Sequence, residues 1–228
     1  MYAFTKKLPN PALKRYLESE PINSIQFVDT KGNKPYYTMN GKRYGGIHSK
    51  LKKMYYPNYQ RKKRRFSKSI HRTKKASSKE LGKTIDRQLF HFVKKPERKP
   101  KNALALALVE YWTSIKHTVQ AAQVPVYIED LERVTQADVI TEDNFGRLWM
   151  WEVKSGFNRA QKQGFLLHFK EEVPNKDSNH WELQRHYTHQ GLVKGGLPLF
   201  ASHVINVYQN GESIEVKKRK VPKWILTK

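Results

Sequence analysis

At 228 residues, 38% of them hydrophobic and including five Trp, twelve Tyr and ten Phe, the chain has material for one domain with a lean core. Its formal charge of +24 self-repels unless a polyanion neutralises it, and nucleic acid is the commonest such partner. The absence of Cys excludes disulfides, thiolate catalysis and Cys-bound zinc and fits an intracellular protein, while the longest apolar run, Ala103 to Val109, is far short of the ~20 residues that span a bilayer.

No secretory signal is visible at the N-terminus. Residues 1–20 are basic, but Pro9 and Pro11 break the amphipathic helix that a mitochondrial address needs. Ser24 to Val28 predicts a short strand. Residues Lys34 to Met39 and Lys42 to Tyr44 flank Asn40-Gly41, the pair that suits a type I′ hairpin turn.

From Ile47 to Lys75 the chain is densely basic with interleaved aromatics: Tyr55, Tyr56 and Tyr59, then Lys62, Lys63, Arg64 and Arg65. Such a segment predicts a phosphate-tracking arm whose tyrosines stack on bases. A solvated linker or a nuclear-import signal gives the same pattern. Residues 1–75 thus read as a basic, nucleic-acid-contacting N-terminal extension with a hairpin, and 76–228 as the main domain.

Ser77 or Ser78 caps a predicted helix that continues through Leu81, Ile85, Leu89 and Phe92. Pro96 and Pro100 end it. Asn102 caps a second, strongly apolar helix running to about Val119, and Val124 to Ile128 predicts a buried strand.

The pattern then changes to two strands, Thr135 to Ile140 and Trp149 to Ser155, around Asp143-Asn144-Phe145-Gly146, with Gly146 where a hairpin loop favours positive φ. A loop of Asn144, Phe145 and Gly146 pairs Asp143 with Arg147 and so sets Asp138 opposite Glu152, with Cβ atoms about 4.5–5.5 Å apart. Glu152 and Lys154 share a face, while Val153 points into the other layer. Two carboxylates and an ammonium converging on one face are costly unless a divalent ion binds there. The bland alternative is a salt-bridged hairpin face, worth only about 0–1 kcal/mol if exposed.

Asn175 to Ser178 has turn and capping character, and a helix from about Asn179 carries Gln184, His186, Tyr187 and His189. The two histidines lack a third ligand at zinc spacing and read as surface or phosphate-facing. Leu199 to Tyr208 and Ser213 to Val216 form a further hairpin across Asn210-Gly211, followed by a basic tail.

Asp138 followed by Glu152-Val153-Lys154 resembles the core of the PD-(D/E)XK nuclease superfamily, nearest its RecB-like exonuclease branch, over Leu81 to Leu192. The resemblance implies an α/β, restriction-endonuclease-like fold with a mixed central sheet flanked by helices. It implies a metal-dependent DNA nuclease, an exonuclease by branch, that hydrolyses phosphodiester bonds with a water activated by Mg²⁺ or Mn²⁺. The ion's ligands would be Asp138, Glu152 and the Val153 carbonyl, with Lys154 orienting the water and stabilising charge on the phosphoryl oxygens. Gly82-Lys83-Thr84-Ile85-Asp86 is similar to the family's G-x-x-x-H helix, with Asp86 where the family carries His. Asp86 stands either as a ligand to a second ion or as an ordinary helix residue. Gln184 and Tyr187 match a Gln and Tyr of the family, three apart here where four is usual. The implied partner is DNA, as single strands or duplex ends, with RNA second. The rivals are a non-catalytic DNA- or RNA-binding or packaging protein on the same fold, and a structural protein of a nucleoprotein particle.

Overall fold

The computed structural model describes residues 3–4, 10–30, 35–55, 68–155, 177–210 and 213–221. It is a mixed α/β arrangement: a large mixed sheet and a small three-stranded sheet, flanked by helices.

The large sheet is built on β5 (His117–Ile128), β6 (Arg133–Asp143) and β7 (Leu148–Ser155), an antiparallel meander. The chain crosses through α5 (Asp177–Lys194) and returns as β8 (Leu199–Asn210), parallel to β7, before β9 (Ser213–Lys218) turns back antiparallel. A short β1 (Ala3–Phe4) borders β5. The small sheet has the order β2 (Gln26–Val28), β3 (Tyr36–Met39), β4 (Lys42–Tyr44). Its β3–β4 turn has Asn40 and Gly41 at φ of 49° and 74°, the two positive values that a type I′ turn requires.

Helices cover both faces of the large sheet. On one face α3 (Lys68–Lys94) and α4 (Ala103–Ser114) bury Ile85, Leu89, Leu108 and Trp112 against Val139, Trp151, Val153 and Ile205. The other face receives α5 through Leu183 and Leu192, together with α1 (Pro11–Glu18) and α2 (Ile47–Tyr55). Gly191 lets α5 come close: a Cβ there would sit 2.7 Å from Val126 Cγ1 and 3.0 Å from the Tyr127 carbonyl oxygen. Leu13, Tyr16, Met39, Tyr44 and Leu51 share one buried cluster with Val126, Val134 and Ile140. The N-terminal hairpin and its helices therefore pack into the same core as the sheet.

Several element boundaries differ from those read in the sequence, three of them by a wide margin. α3 starts at Lys68, so Ser77 and Ser78 lie inside it and residue 75 is mid-helix. Ser is tolerated in a helix interior, and no Gly or Pro interrupts the chain between 68 and 81. α4 ends at Ser114 rather than near Val119, because Lys116 adopts a left-handed φ of 59° and Thr118 and Val119 favour extended backbone. β5 accordingly begins at His117, well before Val124. The Asn102 cap stands as read, its Oδ1 accepting from the N–H groups of Leu104 and Ala105 at 3.1 Å.

Candidate active site

The β6–β7 hairpin holds the register that its loop predicts. Glu142 pairs with Leu148, Thr141 with Trp149, Ile140 with Met150 and Val139 with Trp151. At the loop, Asp143 donates its N–H to the Arg147 carbonyl at 3.0 Å, and Gly146, at φ 77°, donates to the Asp143 carbonyl at 3.0 Å. Regular pairing ends at Val139 and Trp151, one residue short of Asp138 and Glu152. There a side chain replaces the ladder: Asp138 Oδ2 accepts the Val153 N–H at 2.8 Å. In an extended strand a residue's N–H and C=O point to the same side. The Val153 carbonyl therefore faces Asp138 as well.

Glu152 is wholly buried, at 0% exposure. Its Oε1 accepts from the Lys154 ammonium, whose side chain is 21% exposed. Its Oε2 is buried and has no hydrogen-bond partner. An orphaned carboxylate oxygen of this kind costs about 1–3 kcal/mol or more.

A third carboxylate comes from α3. Gly82 places that helix against the end of β7, where a Cβ would lie 3.5 Å from Ser155 Oγ. Asp86, one turn later, feels both Asp138 and Lys154. Burial first, then the Asp138 charge, push Asp86 up to about 7 against the pull of Lys154. Burial, Asp138 and Asp86 push Glu152 up to about 8. Asp138 is raised by burial, with Lys154 and the Val153 N–H pulling the other way. Burial alone would lower Lys154, but Glu152, Asp138 and Asp86 outweigh it and raise its pKa. The result is three acids sharing one ammonium in a low-dielectric site, an electrostatic deficit of one or more positive charges.

Two further side chains reach this place without a sequence signal. Tyr37, on β3, is held up to about 12 by burial and then by the Asp138 charge. Asn206 on β8 is the register partner of Lys154, and its buried Oδ1 has no hydrogen-bond partner. Long-range strand pairing puts Asn206 there and packing of the small sheet puts Tyr37 there, and no local motif marks them.

Gln184 and Tyr187 lie on α5, over the sheet face that carries Met150 and Ile140, with Tyr187 packed against that cluster. The deeper α5 residues are others. Glu182 and Arg185 are buried and joined at 2.8 Å, and Arg185 Nη1 donates to Ser202 Oγ at 2.5 Å. His189 corrects the expectation of a surface residue. Burial, with Arg185 and His186 nearby, lowers it to about 4, and its Nδ1 is buried without a partner. It lies one turn from Arg185, on the side of α5 that carries the buried Glu182–Arg185 pair. Of the predicted nucleic-acid contacts, Tyr56, Tyr59 and Lys62 to Arg65 lie outside the described residues, and Tyr55 closes α2 with its side chain outside them.

Among the described residues no three His, Asp or Glu side chains converge as a ready metal cage. The donor set nonetheless fits a hard cation: two carboxylates, a carbonyl on the same side, and an oxygen with no other partner. Magnesium keeps several waters and needs only one or two protein carboxylates. No helix of the described residues is long and apolar enough to cross a membrane. Comparison with known proteins finds no matching family model, no similar curated protein and no similar solved structure.

Proposed function

We propose that the chain is a divalent-metal-dependent nuclease of restriction-endonuclease-like fold, acting on DNA. One observation carries this: Asp86, Asp138 and Glu152 share a single ammonium while Glu152 Oε2 stays buried and unpartnered. The structural carboxylate at the other end of the hairpin, Asp143, has both oxygens hydrogen-bonded. The order α4, β5, β6, β7, α5, β8, with β8 parallel to β7, supports the fold assignment, and the +24 charge supports a polyanionic substrate.

Asp138, Glu152 and the Val153 carbonyl would hold Mg²⁺ or Mn²⁺, with Asp86 beside them. The bound ion supplies charge neutralisation at the phosphate and a water of lowered pKa. Lys154 donates to Glu152; with an ion held by the carboxylates, the ammonium would be available to the attacking water and the phosphoryl oxygens. Asn206, its register partner on β8, brings an unpartnered amide oxygen to the Lys154 side of the site. Tyr37 closes the Asp138 side against solvent. Gln184 and Tyr187 approach from α5, where Gln184 fixes a phosphate oxygen. Lys62 to Arg65 and the tyrosines before them would supply further contacts to the nucleic acid.

The test uses end-labelled single- and double-stranded DNA with Mg²⁺, Mn²⁺ or chelator. Metal-dependent cleavage is expected, reduced by about 10²–10³ in Lys154→Ala, the range for losing one electrostatic stabiliser, with DNA binding retained. Chelator-resistant cleavage, or a Lys154→Ala variant as active as the native chain, overturns the proposal. A second reading, a nucleic-acid-binding protein without turnover, is favoured by the Lys154–Glu152 pair already being formed. Salt-sensitive binding with no cleavage under any metal would select it.

A further inference from the structure

The junction between α3 and α4 carries a second cationic feature, on the same helix as Asp86 but apart from the carboxylates. A cavity of about 280 Å³ there is lined by Lys94, Lys95, Arg98, Lys99 and Lys101, with no Asp or Glu of the described residues in its wall. The loop is firmly built. Lys95 donates its N–H to the His91 and Phe92 carbonyls at 3.0 and 3.2 Å, and Arg98 donates to the Lys95 carbonyl at 2.9 Å. The Lys101 N–H is held by Gln88 Oε1 at 2.8 Å, Pro100 is buried, and Asn102 caps α4.

The cations themselves are exposed, and Lys95, Arg98, Lys99 and Lys101 have no ion pair among the described residues. Glu97, in the same loop, lies outside the cavity wall and pairs with none of them. Like charges gathered on a preformed loop repel one another, and an anion with several oxygens relieves that.

We propose that this cavity is a phosphate-backbone site that holds a nucleic-acid strand on the protein. Nucleic acid is favoured over an anionic membrane because none of the exposed large hydrophobic residues among those described lines the cavity. Lys94 ends α3 eight residues beyond Asp86, about 12 Å along the axis at ~1.5 Å per residue. A strand with one phosphate at the carboxylates reaches the cavity within a few nucleotides. The inference rests on the chain handling nucleic acid, but not on its cutting it.

Binding of a fluorescein-labelled 20-nucleotide oligothymidylate, with chelator present, tests the site by anisotropy. The four-site variant Lys95→Gln/Arg98→Gln/Lys99→Gln/Lys101→Gln is expected to bind at least about 10-fold more weakly. Its plot of log affinity against log salt should flatten by about 0.7 for each phosphate that the variant no longer neutralises. A charge-matched variant at Lys14, Arg15, Lys116 and Lys194 should lose less than about 3-fold, and Lys95→Arg/Lys99→Arg/Lys101→Arg should bind like the native chain. Unfolding temperatures check that all variants fold, and single Lys95→Gln and Lys99→Gln changes, each about 2–4-fold weaker, stand in if the four-site variant does not. Equal loss in the charge-matched variant, or unchanged affinity in the four-site one, overturns the site. Binding to phosphatidylserine vesicles in place of the oligonucleotide, or full displacement of it by millimolar inorganic phosphate, does so too. A chain that binds DNA through this cavity yet cuts none sinks the nuclease reading alone.

Discussion

The two ends of the β6–β7 hairpin treat buried carboxylates in opposite ways. At the closed end Asp143 accepts from the Phe145 and Arg147 N–H groups at 2.9 and 3.0 Å, from Arg147 Nε at 2.7 Å and from Trp149 Nε1 at 3.0 Å. Burial pushes its pKa up, but these bonds outweigh it and bring it down to about 2. At the open end Glu152 has one hydrogen-bonded oxygen and one orphan, and is pushed up to about 8. A carboxylate that folding satisfies completely is a structural part of its turn. One that folding buries and leaves short of partners is poised for a ligand.

Exchanging the charges should separate the two ends. Glu152→Gln is expected to abolish cleavage, by about 10² or more, while leaving the metal-free protein at least as stable as the native one above pH 8, since it removes a poorly paired buried charge. Chemical denaturation beside the cleavage assay checks both. A variant that is clearly destabilised at pH 9 would place Glu152 with Asp143 as a structural acid.

Asp143→Ala should do the reverse. It strands the Phe145, Arg147 and Trp149 donors and is expected to cost about 2–3 kcal/mol of stability. Cleavage per folded molecule should be nearly unchanged, as seen by comparing activity with the folded fraction. Loss of activity in a folded Asp143→Ala variant would break the contrast between the ends.

The smallest effect is in the pH dependence. An acid raised from 4.5 to about 8 is protonated in the folded chain where the unfolded chain has lost its proton. Its contribution to stability is therefore full below about pH 4.5 and declines as pH rises through 8, and Asp86 adds the same sign up to about 7. His189 and His203, lowered to about 4, act oppositely and withdraw stability as pH falls from 6.5 toward 4. Comparing native and Glu152→Gln unfolding temperatures in chelator from pH 5 to 9 cancels the histidines. The native curve should fall relative to the variant, and added Mg²⁺ should remove the fall. Parallel curves would remove Glu152 from the titrating set.

Local rules of the chain settled more than its short motifs suggest. Gly146 at positive φ and the three-residue loop set the hairpin register from Glu142–Leu148 to Val139–Trp151. Asn40-Gly41 and Asn102 likewise determine a turn and a helix start, because each satisfies backbone geometry or donors within a few residues. Only the tertiary structure decided how that hairpin face is charged. Asp86 arrives from α3, Asn206 from β8 and Tyr37 from the small sheet, each by packing between segments far apart in sequence. The burial of Glu152 is likewise a property of the whole assembled core. Pairing along a strand is read between neighbours, whereas desolvation and charge depend on everything that closes over the site, which no window of sequence contains.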